Sequence, residues 1–343
     1  MKAMVLKGPN LPFELEQRPD PAAGPGEAVA RVITCGAGLT IQHAKAGRRK
    51  VQFPRIIGHE ITGEIVETGP GVRGLKVGDA VTTYFYLNCG HCRWCLTQLE
   101  PLCENSGGQI GLECDGAYAE YVKLPAQNFI KLPASLDHKK NPAEIGVVTD
   151  ALATPYKVLG RARVKAGETV AVIGAGGGLG IHQLMMAKWA GARVIAVDTK
   201  PNKFDACRKA GADEVVDASA GRVVEQLLEL TSGQGVDVVV DYVSATATLE
   251  AGAKALGRRG RLVTLGGSGQ RFQASAADML NKEQDLLGSR YVTRSEVLES
   301  LDLVARGEVF PLVSVVRPLE EAEAVHELVE RGEVIGRAAL RIA

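Results

Sequence analysis

The sequence predicts an α/β chain of two domains, the first mostly β-strand and the second a doubly wound parallel sheet. Three observations carry this. Residues 1–150 contain short β-type runs separated by Gly/Pro turns. From about residue 151 strands alternate with helices, the order of βαβ units on a parallel sheet. A glycine-rich turn at 174–180 joins the first of those strands to the first helix. The length, 343 residues, suits about two domains at roughly 150 residues each.

Taken in order, the β-type runs are 28–34, 61–68, 79–86 and 119–124. Turn signals stand between them at Gly24-Pro25-Gly26, Gly69-Pro70-Gly71 and Val77-Gly78-Asp79. The second domain, placed at 151–288, opens with a strand at 168–173 and a helix at 181–190. A strand at 193–197 ends in Asp198. Then come a helix at 202–210, a strand at 214–216, a helix at 222–231, a strand at 236–241, a helix at 245–256 and a strand at 261–265. The tail carries helices near 295–306 and 319–331 and a short strand at 338–342.

Forty basic and 40 acidic side chains leave no net charge, which argues against a nucleic-acid binder. Glycine is frequent, at 40 residues or about 12 % against a usual 7 %, with no Gly-X-Y period, so collagen is excluded and tight turns are expected. The most apolar run, 170–181, falls short of the roughly 20 residues of a membrane span. The N-terminal residues show no signal-like apolar stretch, so a cytoplasmic protein is expected, where disulfides are rare. The seven cysteines therefore need another role.

At Val170–Gln183 the strand, turn and helix bring together Gly174, Gly176, Gly177, Gly178, Leu179 and Gly180. Positions without side chains let the backbone approach a pyrophosphate, and the helix start offers N–H groups and the positive end of its dipole. Asp198, at the end of the second strand, is placed to accept bonds from the ribose hydroxyls of NAD and to repel the 2′-phosphate of NADP. Lys200 and Lys203 stand near enough to weigh for NADP, and Lys203 is included among the cofactor contacts. Gly266 and Gly267, at the end of a later strand, are expected near the nicotinamide end.

Cys89-x2-Cys92-x2-Cys95-x7-Cys103 places four thiols within 15 residues, in a lobe of about 85–110. Four thiolates at this spacing can close tetrahedrally on one structural zinc with no open position.

Together these residues resemble the zinc-containing alcohol dehydrogenase branch of the medium-chain dehydrogenase/reductase superfamily. The resemblance covers essentially the whole chain. Its marks are Gly58-His59-Glu60, the Gly78-Asp79 turn, the four-cysteine lobe, Asp115–Glu120, Thr154-Pro155-Tyr156, the glycine turn, Asp198 and Gly336-Arg337. It implies a GroES-like catalytic domain formed by 1–150 and 289–343, a Rossmann NAD-binding domain at 151–288, and an active site in the cleft. It implies a role in proton relay for Thr40 and His43, and in pyrophosphate binding for Arg337. It also implies a small carbonyl, alcohol or enone substrate and a homodimer or homotetramer.

The resemblance breaks at the catalytic zinc. His59 and Asp150 match two of its ligands. The family pattern G-x-C-x-[ST]-D, set on Gly36 and Thr40, puts Gly38 where a cysteine ligand belongs. It puts Ile41 where an aspartate braces the zinc-bound histidine. A catalytic zinc takes three protein ligands and keeps an open position, and its histidines need bracing partners. Losing a ligand and a brace within four residues favours loss of the metal. A rearranged zinc site of His59, Glu60 and Asp150 is the alternative. Without the metal, crowding should raise a carboxyl pKa, and that carboxyl or His59 can donate a proton.

Hydride addition to an isolated carbonyl concentrates charge that zinc normally stabilises, whereas addition to a conjugated C=C spreads it over an enolate that hydrogen-bond donors can carry. The expected activity is therefore NAD(H)-dependent reduction of a conjugated C=C or carbonyl, an ene-reductase chemistry. The alternatives are a zinc-dependent alcohol dehydrogenase and a non-catalytic NAD-binding protein. The basic run Arg48, Arg49, Lys50 and Arg55 admits an acyl-CoA phosphate, and one of Tyr84, Phe85 and Tyr86 is expected at the pocket.

Overall fold

The computed structural model describes residues 1–266 and 269–343, so Gly267 lies outside the described residues. The chain divides into two units, residues 1–153 with 292–343 and residues 154–291, against the expected borders of 150 and 288.

The first unit begins with β1 (Lys2–Leu6), β2 (Phe13–Gln17), β3 (Glu27–Ala37) and β4 (Arg55–Ile56). It continues with β5 (Ile61–Thr68), β6 (Ala80–Thr83), β7 (Tyr121–Pro125) and β8 (Phe129–Lys131). The second unit contributes β9 (Thr169–Ile173), β10 (Arg193–Asp198), β11 (Glu214–Asp217), β12 (Val236–Asp241), β13 (Leu256–Thr264) and β14 (Asp285–Gly288). The chain then returns to the first unit with β15 (Val313–Pro318) and β16 (Arg337–Arg341).

In the first unit β2-β1-β4 form a small antiparallel sheet, and a seven-stranded sheet runs β15-β16-β3-β5-β6-β8, with β7 also on β3. The long strand β3 organises the larger sheet. It pairs antiparallel with β5, β7 and β16, and its register sets Ala37 opposite Ala338 and Gly36 opposite Ala339. The expected strand at 79–86 stops at Thr83, after which Tyr84, Phe85 and Tyr86 are buried in irregular backbone. The sequence reading assigned no strand to β1, whose four apolar residues are all buried and so lack the alternation that marks a half-exposed strand.

Residues 142–162 form helical structure that the sequence did not announce: Pro142–Val147, a π-helical turn Val148–Leu152, and Ala153–Ala162. Gly146, Val147, Val148, Thr149 and Pro155 are poor helix formers. Burial outweighs propensity here, since Ile145, Val147, Val148, Ala151 and Leu152 are almost fully enclosed. The widened turn stands just ahead of Pro155, which has no N–H to close onto the preceding turn. Asp150 is carried on that widened turn, a feature frequent at functional positions.

His326 is fully buried in the first unit. Its Nε2 meets the Tyr118 hydroxyl at 2.8 Å and its Nδ1 meets Gln42 Oε1 at 2.8 Å. A neutral ring suits both, accepting from the phenol and donating to the amide oxygen. Burial, with Lys45 nearby, holds the ring's pKa down to about 3. The unfolded chain therefore binds this proton at a higher pH than the folded one. The sign follows: stability is full above the unfolded value and is lost as pH falls from about 6.5 toward 3. His326→Gln is expected to flatten that limb of the stability–pH curve measured by denaturant titration. An unchanged acid limb would show that His326 does not cause it.

In the second unit all six strands are parallel, in the order β11-β10-β9-β12-β13-β14. The strand order reverses at β9, between β10 and β12, the place where doubly wound sheets bind their ligands. β9, β10 and β12 read as near-continuous buried runs, as expected of strands covered on both faces. Ile173, Ile195, Val197, Val239 and Leu262 share one core cluster. No helix among the described residues is long and apolar enough to cross a membrane.

Candidate active site

The glycine turn leaves β9 at that reversal. Gly174 has φ +77°, the left-handed region that side chains resist, and its N–H bonds Val197 O at 2.9 Å. A Cβ on Gly180 would lie 2.1 Å from Gly174 O, and one on Gly177 3.2 Å from the same oxygen. A Cβ on Gly176 would lie 2.6 Å from Lys203 Cδ. The turn is a tight cradle at the start of the helix Gly180–Trp189, with Gly178 and Leu179 leading into it. Asp198, buried at the end of β10, accepts from Gly176 N–H at 2.8 Å through Oδ2 and from Lys200 N–H at 3.0 Å through Oδ1. Lys203 is buried beside it. Burial lowers the pKa of its ammonium, and Asp198 partly restores it. Gly266 is exposed, with its N–H on Ser244 Oγ at 2.9 Å. This cradle fits a dinucleotide pyrophosphate, and a carboxylate at the strand end fits a ribose diol.

The four cysteines of the lobe also come together. Their sulfur atoms lie within 4.8 Å of one another, with Cys92–Cys95 at 3.5 Å and Cys89–Cys95 and Cys92–Cys103 at 3.9 Å. A zinc with bonds of about 2.3 Å in a regular tetrahedron spaces its sulfurs at about 3.8 Å, so the donor set fits one structural zinc. The N–H of Cys92 points to Cys89 Sγ and that of Cys89 to Cys103 Sγ, both at 3.3 Å, and backbone N–H groups of His91 and Cys92 hold the Cys89 thiol below its ordinary pKa.

The second metal site that the sequence leaves open is built differently. Among the described residues, the four-cysteine lobe is the only group that gathers three or more possible ligand atoms. His59 and Asp150 approach, with Nε2 3.6 Å from Oδ2. Glu60 does not join them as a ligand, because its carboxylate is bonded to Arg337. Arg337 Nε donates to both Glu60 oxygens at 3.1 Å, and Nη2 donates to Glu60 Oε1 and to Asp150 Oδ2, each at 2.7 Å. Arg337, expected at a pyrophosphate, thus lies buried inside the cluster with both carboxylates. Burial opposes its charge, but Glu60 and Asp150 more than restore it and hold its pKa above the ordinary value. Burial pushes the Glu60 carboxyl up, with Arg337 pulling it back.

The backbone explains this arrangement. Gly38 is extended, so the alternation of β3 continues through it, and Gly36 and Gly38 fall on one face. A Cβ on Gly36 would lie 2.3 Å from Glu60 Oε2, and one on Gly38 would lie 2.6 Å from Arg337 Cζ. Two positions without side chains make room for the two charged groups. Cys35 falls on the opposite face, where a Cβ on Gly58 would lie 2.8 Å from its sulfur, so its thiol is turned away from the face of Gly36 and Gly38. Two glycines at alternate positions in a strand signal such a close approach, and the sequence reading took only Gly38 as informative.

His59 is buried, its ring centroid is 4.1 Å from that of Phe85, and neither ring nitrogen has a hydrogen-bond partner among the described residues. The position of the expected brace holds the fully buried Ile41, which cannot bond it. Phe85 is therefore the aromatic residue against His59, whereas the Tyr84 hydroxyl donates to Val292 O at 2.9 Å. Thr40, half-buried, is the second residue of the short helix Leu39–Lys45. His43 is exposed on that helix and accepts from Arg48 Nε at 2.8 Å, while Arg48 grips Glu330 through two bonds of 2.6 Å. Within the basic run, Arg49 bonds Gln109 and Arg55 bonds Asp115.

Family models match two segments. Residues 24–134 match the alcohol dehydrogenase GroES-like domain, and residues 178–306 match zinc-binding dehydrogenase. The chain is 34 % identical to an alcohol dehydrogenase of Geobacillus stearothermophilus over all of both chains. It is 32 % identical to an acryloyl-coenzyme A reductase of Metallosphaera sedula, over 99 % of each. Among solved structures, the alcohol dehydrogenase of Aeropyrum pernix superposes with a TM-score of 0.91 at 33 % identity, over 99 % of this chain and 100 % of that one.

Proposed function

Because the chain belongs to the zinc-type alcohol dehydrogenase branch of the medium-chain dehydrogenase/reductase family, and is thus an oxidoreductase, we propose that it reduces a conjugated C=C bond with NADH without a catalytic zinc. The observation that carries this reading is the pairing of Glu60 and Asp150 with Arg337 beside Gly38. A catalytic zinc needs three protein ligands. His59 and Asp150 supply two, and the third candidate, Glu60, is held by Arg337, so the residues as arranged here do not fit the metal. The likeness to an acryloyl-coenzyme A reductase supports an α,β-unsaturated acyl substrate.

Bound NADH supplies the hydride. The cradle at Gly176–Gly180 would take its pyrophosphate and Asp198 its ribose hydroxyls, and Lys203 stands beside that carboxylate. Hydride reaching the β-carbon leaves an enolate, whose charge fixed hydrogen-bond donors can carry. The α-carbon must then receive a proton. His59 has two ring nitrogens without partners, held in place by Phe85, and is the group we assign to donate it. The same orphaned nitrogens favour the second reading, an alcohol dehydrogenase with a metal on a rearranged His59/Glu60/Asp150 site.

A substrate panel separates the two. NADH oxidation with enones and enoyl-CoA esters is expected to exceed that with simple aldehydes, and to survive a chelator that leaves the cysteine lobe loaded. Alcohol oxidation that exceeds enone reduction and disappears on chelation would establish the second reading instead.

A further inference from the structure

Building on the metal-independent reading above, we infer that Arg337 is the resident cation of this cluster, seated where a ligand at position 38 would project, and that it excludes a catalytic metal.

Three observations lead there. The first is steric. The Cβ that Gly38 lacks would lie 2.6 to 2.8 Å from Cζ, Nη1 and Nη2 of Arg337, so a cysteine at 38 requires this guanidinium to shift from where it bonds Glu60 and Asp150. The second is the use of the ligand atoms. Asp150 Oδ2, the oxygen that faces His59 Nε2 at 3.6 Å, already accepts from Arg337 at 2.7 Å, and both Glu60 oxygens are bonded to the same side chain. The third is charge. A divalent ion held by His59 and Asp150 would sit against a buried guanidinium, with like charges close together in a site of low dielectric. The sheet sets this competition. Ala338 is opposite Ala37, so the next pair brings Arg337 to Gly38, and the cation is delivered by the pairing of β16 with β3. Arginine suits the position because its planar fork bridges two carboxylates and keeps its proton. It supplies charge but no Lewis acidity, which is consistent with a substrate whose developing charge is delocalised.

The test is zinc per chain in the full-length protein, purified with zinc present throughout. The wild type is expected to hold about one zinc, in the cysteine lobe, and Gly38→Cys alone also about one. Gly38→Cys with Arg337→Ala is expected to hold about two, because the ligand is restored and the cation removed. Gly38→Cys with Arg337→Gln makes the same comparison if the alanine pair is insoluble. If Gly38→Cys alone reached two, or both double variants stayed at one while folded, Arg337 would not be what keeps the metal out. A wild type that already holds two would overturn the metal-independent reading itself, a different failure from either of those.

Discussion

Arg337→Met is expected to lower the stability of the first unit by about 3–5 kcal/mol, because it strands two buried carboxylates without their cation. For a unit of this size the loss corresponds to a fall in melting temperature on the order of 10 °C. A pH signature separates lost charge from lost packing. In the variant, Glu60 and Asp150 ionise less readily folded than unfolded, so the penalty grows as pH rises above the usual carboxylate range and shrinks as pH falls into it. A packing loss would be independent of pH. Adding Glu60→Gln to Arg337→Met should recover part of the deficit, and the double-mutant cycle should show strong coupling. A deficit below about 1 kcal/mol at neutral pH would show that the ion cluster is not structural.

Cys103→Ser is expected to remove the structural zinc and to unfold the lobe around residues 89–103. The lobe has little else to hold it. Its α-helix, Arg93–Leu96, buries none of its residues, Leu96 is 71 % exposed, and only Glu100 and Pro101 of the 3-10 turn Glu100–Leu102 are buried. Where packing is so slight, the free energy of binding metal is the free energy of folding, here on the order of several kcal/mol. Limited proteolysis should therefore cut the variant within the lobe and spare the wild type. Zinc content should fall by about one per chain. The cofactor cradle belongs to the other unit, so NADH binding measured by fluorescence should survive. A variant that keeps its zinc, or that resists protease as the wild type does, would show that the four thiols do not act as one metal site.

The cradle and the lobe were legible because each is local. Glycines 174–180 lie between a strand and a helix, and four cysteines fall in one short loop, so chain geometry alone brings their atoms together. Helical structure at 142–162 was missed, because weak local propensity was overridden by burial that the sequence does not display. Arg337 was legible as a residue of interest, but its carboxylate partners were not. The resemblance implies a pyrophosphate for it, and within the first unit it bonds Glu60 and Asp150.

The sequence by itself determined the fold class, the glycine turn with Asp198 at the next strand end, the cluster of four cysteines and the glycine at position 38. Only the tertiary structure decided what stands beside that glycine, the guanidinium of Arg337. Glu60 and Arg337 are 277 positions apart, and they meet because β3 pairs with β5 on one edge and with β16 on the other. Spacing along the chain encodes contacts that the local backbone can make. A guanidinium set beside a glycine 299 positions away depends on strand register across the whole unit, and no spacing rule carries that information.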